Sequence, residues 1–313
     1  MKVVVAGGSG FLGTALTERL AARGDEVVVL SRRPSGADAA RGGARQIHWR
    51  GDGTAVSSWV AEINEADAVV NLAGAGIADR RWSPARKQVL RDSRVIPTRS
   101  LVEGLRTATR RPAVFLQGSA VGYYGSTLDD RPFTESDPAG NDFLGRLCAE
   151  WELAAQPVST LGVRLVVVRT GLVLARKGGV LEPMKLPFKL FVGGPVASGR
   201  QYFSWIHIDD WTTLVLWALD TPSVSGPINA TSPNAVTNAE FSKALGRALG
   251  RPSWLPVPGF ALKTLFGEFA EEGLIGGQRV VPRRARELGF SFRHPEAGEA
   301  LSAVFGVPGT SER

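Results

Sequence analysis

The chain has 313 residues, of which 43% are apolar and 21% are charged, with a formal net charge of +7. This composition is typical of a globular protein, and the length lies between one large α/β domain and two average domains. The single cysteine, Cys148, excludes internal disulfides and cysteine-based metal clusters, and it predicts a reducing, cytoplasmic setting. The sequence has neither a bilayer-length apolar run nor a signal-peptide pattern, so we expect no membrane contact and no secretion.

The positive charge does not form a pattern that favours nucleic acid. The arginines are scattered, and no segment interleaves basic and aromatic residues as a stacking surface does. We therefore expect no nucleic-acid partner and interpret the charge as solvated surface with a few phosphate ligands. A nucleic-acid-associated protein stays open as a third hypothesis, and retention on DNA that weakens with salt would support it.

Strands and helices alternate from the first residue. Lys2–Ala6 is a β-branched run typical of a strand buried on both faces, and Gly10–Arg23 has the leucine spacing of a helix. Further strands are predicted at Glu26–Leu30, Ala44–Trp49, Ala68–Leu72, Ala113–Leu116 and Val163–Val168, with a helix at Pro84–Arg106. This order predicts an α/β protein with a Rossmann-type, doubly wound parallel sheet.

A smaller C-terminal α/β lobe is predicted after residue 170, where glycine-rich breaks become frequent. We expect a nucleotide-binding domain at 1–170 and a substrate lobe mainly at 171–305, with 203–230 partly returning to the first domain and a tail at 306–313. Thr237 and Glu240 have the spacing of a capping box that begins a helix ending at Gly250. An apolar stripe predicts core or dimer packing, with a substrate lid or membrane contact as alternatives, at Phe260, Leu262, Leu265, Phe266 and Phe269.

The glycines of the first turn predict a nucleotide site. Gly7, Gly10 and Gly13 lie between the first strand and the first helix, where a side chain would keep the backbone away from a pyrophosphate. The helix N-terminus supplies free N–H groups and the positive end of its dipole. The predicted cofactor-binding residues of this turn are Gly7, Ser9, Gly10, Phe11 and Leu12.

The residues that follow the second strand indicate the type of dinucleotide. NAD-preferring sites place a carboxylate there for the ribose 2′-hydroxyl, but this chain has Ser31 and Arg32. A hydroxyl and a guanidinium suit a 2′-phosphate, so the predicted cofactor is NADP. For Arg33, phosphate binding and simple solvent exposure remain equally open.

Three groups of residues, taken together, resemble a known family. They are Gly7–Gly13, Asn71–Gly74 and Gly118–Gly125, and they resemble the extended short-chain dehydrogenase/reductases. The chain is more narrowly similar to an atypical, YfcH-like branch often labelled nucleoside-diphosphate-sugar epimerases. This similarity rests on Arg81–Trp82, Asp92–Arg94, Phe143–Glu152, Gly193–Pro195, Gly199–Gln201, Trp205–Asp210 and Gly276–Pro282, and it extends from Met1 to about Phe305.

The resemblance implies further cofactor contacts. It implies that NADP also contacts Leu72, Ala73 and Gly74 after the fourth strand, and Arg94 on the next helix. It also implies that the segment Arg169–Val173 passes the nicotinamide end, with Val173 as a cofactor residue.

The chain departs from the family at the catalytic helix. The family's Tyr-x-x-x-Lys pair, in which Tyr exchanges a proton and Lys lowers its pKa, aligns with Leu144 and Cys148. We predict that Ser119, Tyr123 or Tyr124 replaces the missing acid, directly or through water. A backbone-bonded hydroxyl for Ser119, and packing or substrate stacking for the tyrosines, remain alternatives.

Other chemically suggestive residues favour structural roles. Cys148 reads as a small buried side chain rather than a nucleophile. His207 and Asp209 suggest a dyad, but Asp209 or Asp210 reads better as the N-cap of the next helix. No metal-ligand spacing is present, so no metal site is predicted.

Two further hypotheses about function follow. The first is an NADP-dependent oxidoreductase or epimerase for a nucleotide-linked sugar or another small carbonyl or hydroxyl substrate. The second is a non-catalytic NADP-binding protein that senses redox state or binds a partner. A homodimer stays open under either hypothesis.

Overall fold

The computed structural model describes residues 1–32, 43–53 and 57–306. Within these ranges the strands are β1 (Lys2–Ala6), β2 (Glu26–Ser31), β3 (Arg45–His48), β4 (Ala68–Asn71), β5 (Val114–Ala120), β6 (Pro132–Phe133), β7 (Arg164–Thr170), β8 (Leu172–Leu174), β9 (Tyr202–Phe203), β10 (Trp205–His207), β11 (Gly226–Ala230), β12 (Val236–Thr237) and β13 (Arg279–Val280). The helices are α1 (Phe11–Ala22), α2 (Ser57–Glu65), α3 (Pro84–Thr107), α4 (Phe143–Ala155), α5 (Leu181–Lys189), α6 (Ile208–Asp220), α7 (Asn238–Leu249), α8 (Gly259–Phe266), α9 (Glu268–Ala270), α10 (Arg283–Glu287) and α11 (Ala297–Phe305). The described residues also include 3₁₀ turns at Val121–Tyr124 and Gln156–Leu161 and a π-helical turn at Glu271–Ile275.

Seven parallel strands form the central sheet in the order β11–β7–β5–β4–β1–β2–β3. The strand order reverses at β1, which pairs with β2 on one side and β4 on the other. In open parallel sheets, ligands bind beyond the carboxyl ends of the strands at such a reversal. The predicted Rossmann-type fold is therefore confirmed, and its topology directs attention to the carboxyl ends of β1 and β4.

The residues of β1 explain why the sheet is buried on both faces. Val3 and Val5 face the core cluster that contains Leu16 and Leu20 of α1, while Val4 faces the cluster on the opposite side with α2 and α3. All of these side chains are completely buried, and each contributes about 1.5–3 kcal/mol of apolar burial. A continuous β-branched run, rather than an alternating one, is what a strand with two buried faces requires.

The C-terminal half adds three two-stranded sheets, β8–β10, β9–β12 and β6–β13. Elements β8, α5, β10, α7 and α11 share a separate core that includes Phe188, Trp205 and Phe241. β11 belongs to the central sheet, and α6 packs in the same core cluster as β1 and α1. The division of the chain into two domains near residue 170 stays a prediction.

The capping box predicted for α7 is confirmed. The Thr237 hydroxyl accepts from the N–H of Glu240, and the Glu240 carboxylate accepts from the N–H of Thr237. Gly250, with φ 62°, ends the helix. This local device was predictable because all its partners lie within four residues.

Core packing is wrong for part of the predicted apolar stripe. Phe260 and Leu265 lie on α8 with 75% and 66% of their surfaces exposed, and no α8 residue is buried. Helix α8 ends at Phe266, with Gly267 as its C-cap. Phe269 lies beyond this end and packs against Trp82, with ring centroids 5.4 Å apart. The helical spacing indicated a helix correctly, but it could not show that the chain turns between the two halves of the stripe.

No helix within the described residues is both long enough and apolar enough to cross a membrane.

Candidate nucleotide site and active site

The turn between β1 and α1 admits only glycine at two positions. Gly7 has a φ of 81°, and a Cβ there would lie 2.6 Å from the carbonyl oxygen of Leu72. A Cβ on Gly13 would lie 2.1 Å from the carbonyl oxygen of Gly7. The turn, the end of β4 and the first helical turn of α1 therefore pack backbone against backbone, as the glycine spacing predicted.

The N-terminus of α1 is open to an anionic ligand. Gly10 is its N-cap, no side chain among the described residues caps it, and its first turn contains no acidic residue. Ser9, Gly10 and Phe11 are exposed. Free N–H groups and the positive end of the helix dipole thus face solvent beside the glycine turn, which is the geometry that binds a phosphate.

A buried amide fixes the chain after β4. The Asn71 side chain is fully buried and donates to Thr98 Oγ1 at 2.8 Å and to Gln117 Oε1 at 3.0 Å, while its Oδ1 accepts from the N–H of Ala73 at 3.2 Å. Three satisfied hydrogen bonds hold Leu72 and Ala73 in place at the carboxyl edge. Asn71 was part of a motif in the sequence, but its positioning role depends on residues that are distant in the chain.

Arg94 lies directly behind the turn that follows β4. A Cβ on Gly74 would lie 3.2 Å from Arg94 Cζ, and the guanidinium lies 5.1 Å from the Trp151 ring centroid. Within the described ranges its side chain forms no ion pair, only a hydrogen bond to the Leu90 carbonyl oxygen at 3.0 Å. Burial lowers the pKa of Arg94. This half-buried cation without a carboxylate partner agrees with the predicted anion contact.

Ser31 and Arg32 lie one strand away from the glycine turn. β2 ends at Ser31, whose carbonyl oxygen accepts from the N–H of Trp49 at 2.8 Å, and the exposed Arg32 follows directly. Because β1 and β2 are paired in parallel, both residues lie at the same edge as the turn, about 4.8 Å across the sheet. Arg33 lies outside the described residues.

Val173 is placed differently from the other predicted cofactor residues. It lies in β8, opposite Ile206 of β10, and is only 5% exposed. The segment that follows β8 turns back toward α1, where Gly178 and Gly179 lie against the Phe11 ring. Any contact of Val173 with a ligand would therefore use its backbone more than its side chain.

Ser119 is part of a buried charged network. Its hydroxyl donates to Glu152 Oε1 at 2.7 Å, and the Glu152 carboxylate also accepts two bonds from Arg169 at 2.9 Å each. Burial is the largest single effect and lowers the pKa of Arg169, but the hydrogen bonds and charge interactions with Glu152 and Tyr124 together exceed it and raise the pKa overall. The sequence did not predict the contact between Glu152 and Arg169, although Ser119 and Arg169 are register partners across β5 and β7.

Tyr124 belongs to the same network. Its hydroxyl donates to Asn229 Oδ1 at 2.7 Å and accepts from Arg169 Nη1 at 3.0 Å. Burial raises the pKa of Tyr124 above its ordinary value. Its proton is therefore held by internal partners.

Tyr123 differs from its neighbour. Its ring is half-buried and covers the Arg169 guanidinium, with Cζ 3.4 Å from the ring centroid. Within the described part of the chain its hydroxyl has no hydrogen-bond partner. Of the three predicted acids, Tyr123 is thus the one whose hydroxyl is available.

The two positions that replace the usual Tyr and Lys are chemically inert. Cys148 is buried on α4, and burial raises the pKa of its thiol to about 12, so it is protonated at neutral pH. Leu144 lies against Gly122, where a Cβ would be 3.3 Å from Leu144 Cβ. The prediction that Cys148 is a small buried side chain agrees with this placement.

A carboxylate from the C-terminal part of the chain reaches the start of α4. Glu272 accepts from the N–H groups of Leu144 at 3.0 Å and Phe143 at 3.3 Å. Burial raises the pKa of Glu272, and the nearby charges of Asp142 and Glu268 raise it further. The π-helical turn that carries Glu272 gave no sequence signal, so this contact was missed.

The expected capping of α6 by Asp209 or Asp210 is wrong. His207 is the N-cap, and its Nδ1 accepts from the N–H of Asp209 at 3.1 Å. Asp210 instead accepts from the backbone N–H groups of Arg293 and His294. A preference for Asp at N-caps did not anticipate an imidazole in that role, because its acceptor geometry depends on the ring orientation.

His207 also meets His294, for which no partner was predicted. Their ring centroids are 4.1 Å apart, and His207, Asp209 and His294 could together present three ligand atoms within 4.8 Å of one another. However, the Nδ1 of His207 is already used in capping, and the positive end of the α6 dipole disfavours a cation. Burial lowers the pKa of His207, and the proximity of His294 adds to this effect. The arrangement indicates that the two rings pack against each other in a structural role.

These features together define a Rossmann-type nucleotide-binding protein with an altered catalytic helix. The chain belongs to the NAD dependent epimerase/dehydratase family, whose family model matches residues 3–230. A second model, a domain of unknown function (DUF1731), matches residues 257–304. The predicted resemblance to extended short-chain dehydrogenases and nucleoside-diphosphate-sugar epimerases is confirmed at the level of the family.

Several relatives are similar over nearly the full chain. Epimerase family protein Mb2239 of Mycobacterium bovis is 43% identical over 307 residues, covering 98% of both chains. A crystal structure of human epimerase family protein SDR39U1 (isoform 2) with NADPH has a TM-score of 0.86 and 37% identity, covering 98% of this chain and 99% of that one. The nucleoside-diphosphate sugar epimerase from Corynebacterium glutamicum has a TM-score of 0.77 and 32% identity, covering 98% of this chain and 58% of that one.

Proposed function

We propose that this protein binds NADP(H) and acts as an oxidoreductase or epimerase on a small carbonyl or hydroxyl substrate, such as a nucleotide-linked sugar. The observation that carries the proposal is the backbone cradle formed by the glycine turn, where a Cβ on Gly7 or Gly13 would overlap the backbone of Leu72 or Gly7, respectively. The uncapped N-terminus of α1 beside it supplies N–H donors for a pyrophosphate. The NADPH in the related human crystal structure supports the choice of ligand.

The 2′-phosphate is assigned to Ser31 and Arg32. Arg32 is exposed at the end of β2, where a carboxylate would select NAD instead. Arg94 adds a second cation behind the turn that follows β4. When bound, the cofactor supplies hydride transfer, and the residues of this chain must orient the substrate and handle any proton.

We assign the proton to Tyr123 in preference to the other two candidates. The Ser119 hydroxyl donates a hydrogen bond to Glu152, and the Tyr124 hydroxyl donates one to Asn229. Tyr123 keeps a hydroxyl without a partner among the described residues. The Arg169 guanidinium packs against the Tyr123 ring and holds the side chain in place.

A non-catalytic NADP-binding protein is the second candidate. It is favoured by the inert residues at positions 144 and 148 and by the internal hydrogen bonds that occupy two of the three hydroxyls. A general acid normally contributes roughly 10²–10⁴-fold to the rate. A protein that has lost its acid can still retain its cofactor site.

Calorimetry tests the cofactor assignment. We expect wild type to bind NADPH more tightly than NADH. Arg32→Ala should weaken NADPH binding by about 1.5–3 kcal/mol, the contribution of a charge-assisted hydrogen bond, and leave NADH binding unchanged. The exposed Arg106→Ala is the matched control. Equal affinity of wild type for the two dinucleotides would contradict the assignment.

Turnover separates the two candidate functions. NADPH oxidation is measured with 4-keto sugar nucleotides, quinones and small aldehydes for wild type, Ser119→Ala, Tyr123→Phe and Tyr124→Phe. Tyr202→Phe is the control, because Tyr202 lies in β9 and is not one of the three predicted acids. Loss of turnover in Tyr123→Phe alone supports the assigned acid. Tight NADPH binding without turnover of any substrate favours the non-catalytic candidate.

A further inference from the structure

The segment between β8 and α5 lies against the first residue of α1. Gly178 and Gly179 have φ values of 73° and 64°. A Cβ on either would lie 2.8 Å and 3.0 Å, respectively, from the Phe11 ring. The backbone of this segment thus passes directly over the side chain of the residue whose N–H begins the anion-binding end of α1.

Two cations precede these glycines. Arg176 and Lys177 are exposed, and in the described ranges neither side chain makes a hydrogen bond or an ion pair. Many arginines elsewhere are held by carboxylates, including Arg23 by Asp25 and Asp220, and Arg45 by Glu62. The two side chains are therefore available to a ligand.

The backbone of the same segment is anchored. Lys185 Nζ donates to the carbonyl oxygen of Arg176 at 3.1 Å, and the N–H of Gly178 donates to Glu182 Oε2 at 3.3 Å. Lys185 and Glu182 also pair with each other at 2.8 Å. The segment is held from α5 at Arg176 and Gly178 while the side chains of Arg176 and Lys177 stay unbound, an arrangement that favours ligand binding over a structural role.

The distances are short enough for a shared ligand. Adjacent Cα atoms lie about 3.8 Å apart, so Lys177 is one residue from a glycine in contact with Phe11, and Arg176 is two residues away. The flexible four-carbon stem of lysine and the fork of arginine can both span such a separation. A pyrophosphate at the N-terminus of α1 would thus be within reach of these two cations.

We propose that Arg176 and Lys177 bind the pyrophosphate of NADP(H) from the side opposite the glycine turn, so that the bound cofactor ties the β8–α5 segment to α1. This inference rests on the proposed function, because it requires the dinucleotide in that site. The helix N-terminus offers partial charge and N–H donors, whereas the two side chains supply the full charges that neutralise the diphosphate.

The test compares two ligands that differ in the pyrophosphate. NADPH contains it, and adenosine 2′-monophosphate lacks it entirely but keeps the 2′-phosphate. Dissociation constants are measured by calorimetry for wild type, Arg176→Gln, Lys177→Gln and the double variant. Lys189→Gln, an exposed lysine at the end of α5, is the matched control.

We expect each single variant to weaken NADPH binding roughly tenfold or more, as for the loss of a charge-assisted hydrogen bond. The double variant should bind NADPH more weakly than either single variant, and the affinity for adenosine 2′-monophosphate should change less than twofold in all of them. Arg32→Ala should weaken both ligands, because it acts on the phosphate that they share.

Two results would overturn the inference while leaving the proposed cofactor intact. One is a double variant that binds NADPH within twofold of wild type. The other is an equal loss for both ligands, which would indicate a general charge effect. Failure of wild type to bind NADPH would instead refute the proposed function, and this inference with it.

Discussion

At the carboxyl edge of the sheet, the site beyond β1 and β4 is formed by main-chain atoms, whereas polar side chains occupy the edge beyond β5, β7 and β11. Around Gly7 and Gly13, no side chain intervenes between the turn, the end of β4 and α1. Around Arg169, six polar groups from six elements or loops satisfy one another: Ser119, Tyr124, Glu135, Glu152, Arg169 and Asn229. The first part leaves space and free N–H groups for a ligand, and the second uses up most of its donors internally.

The two parts of the carboxyl edge are therefore suited to two different functions, ligand binding and side-chain positioning. The backbone cradle is suited to the constant part of a ligand, a phosphate that any dinucleotide carries. The side-chain network is suited to positioning, since a fully satisfied buried network is rigid. A protein of this family that loses its usual acid and base can therefore keep its cofactor site, because the two parts depend on different residues.

Breaking the network should have the largest effect. Arg169→Met leaves the buried Glu152 carboxylate without its partner, and we expect a loss of about 3–5 kcal/mol in the free energy of unfolding. Urea unfolding followed by circular dichroism measures it. Arg110→Met, which breaks an exposed ion pair with Asp67 at 3.0 Å, should cost at most about 1 kcal/mol.

The double variant Glu152→Gln/Arg169→Met sharpens this test. Removing both charges leaves no unpaired buried ion, so it should be less destabilised than Arg169→Met alone. If Arg169→Met and Arg110→Met cost the same, the network does not have the rigidity that the comparison assigns to it.

A side chain introduced into the glycine turn should change the free energy of unfolding less than the loss of Arg169 does, but it should strongly weaken NADPH binding. The methyl group of Gly13→Ala would overlap the Gly7 carbonyl oxygen, and we expect about 1–3 kcal/mol of destabilisation. NADPH binding should become undetectable by calorimetry, because the turn must shift. Gly298→Ala is the control, since a Cβ there meets nothing within 4 Å. Retained binding in Gly13→Ala would show that the cradle tolerates rearrangement.

The two parts also differ in how far the sequence predicted them. The glycine turn, the uncapped helix and the position of Arg32 after β2 were predictable because each is a local pattern between two adjacent elements. The partners of Ser119 were not, since Glu152 is 33 residues away and Asn229 is 105 residues from Tyr124. Pairing across strands β5, β7 and β11 brings these residues together, and that register does not appear in any short motif.

The contribution of the C-terminal segment was equally hidden. Glu272 reaches α4 from 128 residues away, on a π-helical turn that has no sequence signature. The exposed α8 was predicted as a helix, yet its apolar residues were assigned to core or dimer packing, and core packing is wrong for them. Amphipathic spacing indicates a helix, but it does not indicate which neighbour covers its apolar face.

The smallest predicted effect concerns the pH dependence that Glu272 adds. Burial raises the pKa of its carboxyl in the folded protein, so the native state holds this proton at pH values where the unfolded chain has already lost it. Stability therefore falls as pH rises from about 4.5, the ordinary value. Glu272→Gln cannot ionise, so its free energy of unfolding minus that of wild type should increase between pH 4 and pH 7.

Glu240→Gln provides the control of opposite sign. The hydrogen bonds from Thr237 lower the pKa of Glu240, so its stabilising contribution is present above the unfolded value and lost as pH falls. The same difference, variant minus wild type, should therefore decrease as pH rises. Urea unfolding at several pH values measures both series. Parallel trends in the two variants would contradict the assignment, because a carboxylate stabilised by its cap and one penalised by burial cannot respond to pH in the same direction.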